Sequence, residues 1–151
     1  MTRVRSATAD DIDAVHDITR TAYLPWVPRV GLRPAPLDAD YSAAVRDGRV
    51  WVAAGDGAPV GVLVLAPAGD HLLIENVAVL PSEHGTGVGS RLMVRAEEVA
   101  RERGLPEIRL YTHELMTQNI AYYLRRGYVE THRTHDGGFD RVHFAKRVAP
   151  G

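Results

Sequence analysis

The chain holds 151 residues, of which 45% are hydrophobic and 25% charged, which is ample for one domain with a hydrophobic core and tight for two. Lys+Arg number 18 against Asp+Glu 19, a formal net charge of -1, and that balance argues against a general nucleic-acid binder, which needs a clear basic excess. With no cysteine in the sequence, disulfides, thiolate metal sites and a cysteine nucleophile are excluded. The cations are almost all arginine, Lys146 being the one lysine. Met1 to Arg5 leads into no apolar stretch, and no apolar run approaches the ~20 residues that span a bilayer. The expectation is a cytoplasmic protein, one domain over residues 1–151, without membrane or nucleic-acid partners.

Arg3 to Ala7 reads as a short strand. Thr8 and Asp11 then form a Thr-x-x-Asp start, a variant of the helix capping pattern, and Ile12, Val15, Ile18 and Ala22 carry helical spacing to about Tyr23. From Leu24 to Asp40 the prolines 25, 28, 34 and 36 and Gly31 rule out one regular element. The segment is also too apolar for a linker, so a structured loop is expected. Tyr41 to Arg46 reads as a short helix ending near Gly48. Val50–Ala54 and Val60–Leu65 are β-rich runs joined by Gly55-Asp56-Gly57, a hairpin pattern. Leu72 to Leu80 is apolar on both faces apart from Glu75 and Asn76, as in a central strand covered on both sides. Val88, Leu92, Met93, Ala96, Val99 and Ala100 trace one helical face, closed by Gly104 and Pro106. A strand at Ile108–Thr112, a helix at Met116–Arg126 and a hairpin of Tyr128–Thr134 with Phe139–Arg147 complete the chain. The order β-α-α-β-β-β-α-β-α-β-β implies an α/β (α+β) domain, a mixed, mostly antiparallel central sheet with helices on both faces.

The stretch Val77-Ala78-Val79-Leu80-Pro81-Ser82-Glu83-His84-Gly85-Thr86-Gly87-Val88-Gly89-Ser90 runs from a buried strand through a glycine turn into an amphipathic helix. Free N–H groups of a helix's first turn point outward and its dipole favours an anion there. Alternating glycines leave no side chains to keep a phosphate from those groups. The stretch lacks the third glycine of a dinucleotide fingerprint and the lysine of a Walker loop. A pyrophosphate cradle is the reading, against a plain packing turn.

This stretch resembles the cofactor motif of the GNAT superfamily of acetyl-CoA-dependent N-acetyltransferases, an Ala-Val-x-Pro strand end followed by Arg/Gln-x-x-Gly-x-Gly/Ala, with His84 where the family usually has arginine or glutamine. Asn119-Ile120-Ala121-Tyr122-Tyr123-Leu124-Arg125-Arg126-Gly127-Tyr128 is similar to the family's Asn…Tyr-x-x-x-Gly-Phe/Tyr segment. With the element order, the resemblance covers nearly the whole chain. It implies a GNAT-like fold and direct transfer of acetyl from acetyl-CoA to an amine, with no metal. Backbone groups of Val77, Ala78 and Val79 are then expected to hold the pantetheine arm, a strand N–H such as that of Val79 to face the thioester oxygen, and His84 through Ser90 to hold the phosphates. Tyr123 sits where the family keeps its general acid, a phenol protonated at neutral pH, and Tyr122 reads as the core member of the pair. Asn119 either caps its helix or contacts the cofactor.

Histone-type members keep a glutamate at the position matching Leu73, and N-terminal-amine members one at that of Tyr111; neither glutamate is present here. Glu75, a carboxylate in an apolar strand and otherwise half of an ion pair, and His113, otherwise an exposed strand end, are the candidate bases, with a water chain as the alternative. On the acceptor side Tyr23, Trp26, Asp38, Asp40 and Tyr41 are candidates to line a pocket whose acidic pair attracts a cationic amine; otherwise Trp26 and Tyr41 anchor the loop. His132 and His135 supply two ligands without a third and read as surface residues. The expected acceptor is a small-molecule amine, the alternatives being a protein amine or a non-catalytic acyl-CoA sensor. A homodimer is compatible with the sequence.

Overall fold

Seven strands pair into one sheet, the central ones rich in Val, Leu and Ile. In a computed structural model that describes residues 2–31 and 35–149, β1 (Arg3–Ser6), β2 (Val50–Ala54), β3 (Gly61–Ala68), β4 (His71–Val79), β5 (Glu107–His113), β6 (Val129–Asp136) and β7 (Phe139–Arg147) lie in the order β1-β2-β3-β4-β5-β7-β6. Among the described residues only β4 and β5 run parallel; the other neighbours are antiparallel. The mixed, mostly antiparallel sheet follows the expectation, as does the element order.

Two helices cover opposite faces. Helix α1 (Ile12–Tyr23) is entered through a tight turn at Ala9–Asp11, where the Thr8 N–H donates to Asp11 Oδ2 at 2.8 Å, so the side chain satisfies a donor that the helix leaves orphaned. Its Val15 and Ile18, with Tyr41 and with Ala44 of a short helix, cover Val50, Val52, Val62 and Val64. The opposite face carries the long amphipathic helix Val88–Glu102. There Val88, Leu92, Met93, Ala96, Val99 and Ala100 pack on Leu63, Leu65, Leu72 and Ile108, the stripe expected from their 3.6-residue spacing. Among the described residues no helix is long and apolar enough to cross a membrane.

The proline-rich segment forms a 3₁₀ turn (Leu24–Trp26) and the single-turn helices α2 (Val27–Val30) and α3 (Ala35–Asp38), with α4 (Ser42–Arg46) after it. Pro25 and Pro28 stand in first-turn positions, where a missing N–H costs nothing, so the expected loop is a run of helical turns. The long helix is α5, and α6 spans Thr117–Arg125.

Two features of β4 shape the site. Its register with β3 pairs Val64 with Asn76 but Leu65 with Ile74, so Glu75 is the extra residue of a β-bulge. The bulge reverses which face alternate residues meet. Leu72 and Ile74 belong to the core under α5, whereas Asn76 and Ala78 lie on the α1 side, and Val77 and Val79 pack toward α5. Secondly, β4 pairs with β5 only at Leu72↔Ile108 and Leu73↔Arg109. Beyond Leu73 the parallel strands part, and β5 continues along β7, leaving an open edge on β4.

Candidate active site

The glycine turn follows β4 directly. A 3₁₀ turn at Pro81–Glu83 leads to Gly85 (φ 82°) and Gly87 (φ 89°), left-handed conformations that disfavour any side chain. Thr86 Oγ1 donates to the Glu83 carbonyl at 2.6 Å and pins the loop. The helical ladder of α5 opens with the Arg91 N–H on the Gly87 carbonyl at 3.1 Å, and the buried Val88 fixes the helix start on the sheet. The N–H groups of Gly85, Gly87, Val88, Gly89 and Ser90 have no protein partner among the described residues. Five donors thus stand at the positive end of a 15-residue helix, an anion-binding arrangement.

The open edge of β4 points at the same region. Leu80 gives its N–H to the Val60 carbonyl at 2.9 Å, on the β3 side. Alternation along a strand turns the N–H and C=O of Val79 and Val77 the other way, into the gap beside β5. Those groups are the natural partners of an amide-bearing chain laid in place of a neighbouring strand.

Two clefts meet along this edge. One, of about 640 Å³, is lined by the glycine turn, Val77–Val79, Ser90 and Met93, and by Gln118, Asn119, Tyr122, Tyr123 and Arg125 of α6. The other, of about 350 Å³, is lined by Tyr23, Pro25, Trp26 and Arg29 against Pro81 and Met116. They share Val77, Ala78, Val79, His84, Gln118 and Asn119.

Tyr123 is 8% exposed and packs between Tyr128 and Phe144, with ring centroids 5.9 Å from each, yet it lines the larger cleft. Burial pushes its phenol above the ordinary tyrosine value of 10, so it keeps its proton at neutral pH. Tyr122 corrects the sequence reading. It is the half-buried member of the pair, against the core rather than in it, and its hydroxyl faces Gly89 without a hydrogen-bond partner. Asn119 is not a cap either. Met116 holds that position, and the Asn119 amide donates to Thr112 Oγ1 at 3.4 Å from the rim of both clefts.

The candidate bases lie elsewhere. Glu75, at the bulge, is exposed and pairs with Arg49 at 2.7 Å, because the bulge turns it out of the apolar alternation. His113 Nδ1 accepts the Leu115 N–H at 3.1 Å and its ring stands edge-on to Phe139. Neither lines a cleft. On the acceptor side, Tyr23 and Trp26 line the smaller cleft. Tyr41 does not; it is buried behind it, donating to the Pro36 carbonyl at 3.0 Å and accepting from Asn76 Nδ2 at 3.2 Å. Asp40 is exposed and accepts the Ser42 N–H at 2.9 Å, and the Asp38 side chain lies outside the described residues. His132 stacks on His143 at 4.2 Å and His135 pairs with Asp140, all on the last hairpin. Arg29, Gln118 and Arg125 line the clefts without any motif of their own; only the nearness of Gln118 and Arg125 to Asn119 and Gly127 marks two of them in the sequence.

Residues 12–128 match the model of the acetyltransferase (GNAT) family. The chain belongs to that family. Two curated relatives are acetyltransferases by name: an aminoalkylphosphonate N-acetyltransferase of Salmonella typhimurium, 37% identical over 59 residues (39% of this chain, 38% of the relative), and a streptothricin acetyltransferase of Streptomyces lavendulae, 34% identical over 85 residues (54% and 45%). The chain therefore matches less than half the length of each. The GNAT fold itself recurs in the PaiA N-acetyltransferase of Thermoplasma acidophilum, solved in complex with coenzyme A, with a TM-score of 0.81 over 97% of this chain and 99% of that one at 16% identity.

Proposed function

We propose that this GNAT protein transfers an acetyl group from acetyl-CoA to a primary amine, both bound at once, and that the amine belongs to a small molecule. The observation that carries the reading is the meeting of two clefts along the open edge of β4 at Val77–Val79. One is suited to a phosphorylated, amide-bearing donor and the other to an acceptor. The residues fit acetyl-CoA: left-handed glycines at 85 and 87 with free donors around them suit its pyrophosphate, and the open strand edge suits its pantetheine amides. When bound, acetyl-CoA supplies a thioester carbonyl open to attack by an amine and a thiol as leaving group.

The chain's own groups complete the chemistry. The Val79 N–H, aimed into the gap, orients and polarises a carbonyl oxygen there. Tyr123 holds a proton at its phenol for the departing sulfur. Glu75 and His113 stand outside both clefts, which favours loss of the amine's proton to water in the acceptor cleft. The smaller cleft has the volume of a small-molecule site, and the curated relatives are named for small-molecule acceptors.

Calorimetric titration with acetyl-CoA, on the wild type and on Gly87→Trp, tests the reading. Wild-type binding in the micromolar range, about −8 kcal/mol, lost in the variant, is the expected result. No binding of acetyl-CoA or longer acyl-CoAs by the wild type would return the glycine turn to a packing role.

A further inference from the structure

Among the described residues, the smaller cleft is lined by a cation and not by the expected Asp40. Its ionisable lining residues, among the described residues, are Tyr23, Arg29 and His84, with no carboxylate. Burial pushes the Tyr23 phenol upward, so it contributes no anion at neutral pH. Asp40, spent on the Ser42 N–H, does not line the cleft. Among the described residues, the fixed charge in the wall is therefore the Arg29 guanidinium.

Its placement suits recognition. The guanidinium carbon of Arg29 lies 4.7 Å from the centroid of the Trp26 ring. A guanidinium held over an aromatic ring by cation–π attraction keeps N–H donors for hydrogen bonds to another group. Those donors match the paired oxygens of a carboxylate or phosphonate. The 3₁₀ turn and α2 bring Trp26 and Arg29 to one wall of the cleft, while Val77–Val79 form another at the transfer point. A molecule with an amine at one end and an anion at the other would span from the strand edge to Arg29.

Resting on the transferase reading above, we propose that the acceptor is a small amine bearing a carboxylate or phosphonate a few bonds from its nitrogen, and that Arg29 selects for that anion. The other source of such an anion is the donor's own phosphates, and the test separates the two. Acetyl-CoA binding is measured first by calorimetry; if it fails, the transferase reading falls and this inference with it. Initial rates are then read by thiol release with 2-aminoethylphosphonate, β-alanine, propylamine and 1,4-diaminobutane, for wild type, Arg29→Met and Arg29→Lys. The anionic amines should exceed the other two in kcat/KM by about tenfold or more, and Arg29→Met should raise their KM about 10- to 100-fold, the worth of a charge-assisted hydrogen bond. The KM for acetyl-CoA should stay put, and Arg29→Lys should recover part of the loss. Preference for propylamine or the diamine, acetylation of none of the four, or an Arg29→Met effect confined to the KM for acetyl-CoA overturns the inference.

Discussion

The Tyr123 hydroxyl joins two demands that compete in most proteins. Its ring belongs to the core, between Tyr128 and Phe144, and it also lines the larger cleft. The packing fixes where the hydroxyl points, and burial keeps it protonated. If it is the proton donor, Tyr123→Phe should lower kcat by about 10²- to 10⁴-fold and leave the Kd for acetyl-CoA unchanged. Tyr128→Phe is the control: it packs on Tyr123 but lines neither cleft, and its buried hydroxyl has no partner among the described residues, so its loss should leave kcat near the wild-type value. Equal turnover in wild type and Tyr123→Phe would remove the general-acid role.

At the scale of elements, the site depends on how closely α5 approaches the sheet. Gly61 of β3 faces that helix, and a Cβ built there would lie 3.0 Å from both Leu92 Cδ1 and Val88 Cγ1. Val is stiff about χ1, and Val88 immediately follows the glycine turn. Gly61→Ala gains up to about 1 kcal/mol by restricting the unfolded chain but forces overpacking that costs about 1–3 kcal/mol. The expected net is a loss of about 1 kcal/mol in urea unfolding, with weaker acetyl-CoA binding because the start of α5 is pushed outward. The far end of the helix is tied separately, where Glu97 accepts Lys146 Nζ of β7 at 3.3 Å and Arg126 after α6 at 3.5 Å.

For the molecule as a whole, the edge strand β1 is bound to the start of α1 by Arg5 and Asp11, 2.7 Å apart. The Arg5 guanidinium, against the cost of burial, holds the Asp11 carboxyl at about 2 instead of its ordinary 3.8. A carboxyl with a lowered native pKa stabilises fully above its unfolded value, and that stability is lost as pH falls through the native one. The pair should therefore contribute about 1–2 kcal/mol at neutral pH, less than the full shift because Arg5 is half in solvent, and lose it between about pH 4 and 2. Thermal melts across that range should show a shallower acid decline in Asp11→Asn than in the wild type, and parallel curves would assign acid sensitivity elsewhere.

The strands, the amphipathic faces of α1 and α5 and the glycine turn were legible in the sequence because each rests on local periodicity or on a residue's own conformational preference, as at Gly85 and Gly87. The motif around Tyr123 was legible for the same reason, since Asn119 and Tyr123 lie within one helix and Gly127, with a positive φ, ends it. The sequence could not rank Tyr122 against Tyr123, because neighbours one position apart on a helix differ in burial only through what lies opposite. It could not place Glu75 in solvent, because a bulge is a mismatch with the partner strand, and periodicity within β4 alone shows no mismatch. The parting of β4 from β5 and the placing of Arg29 in the smaller cleft were likewise decided only by tertiary structure. They depend on which distant segments meet, Arg29 with Val77–Val79 above all, and not on the spacing of residues along the chain.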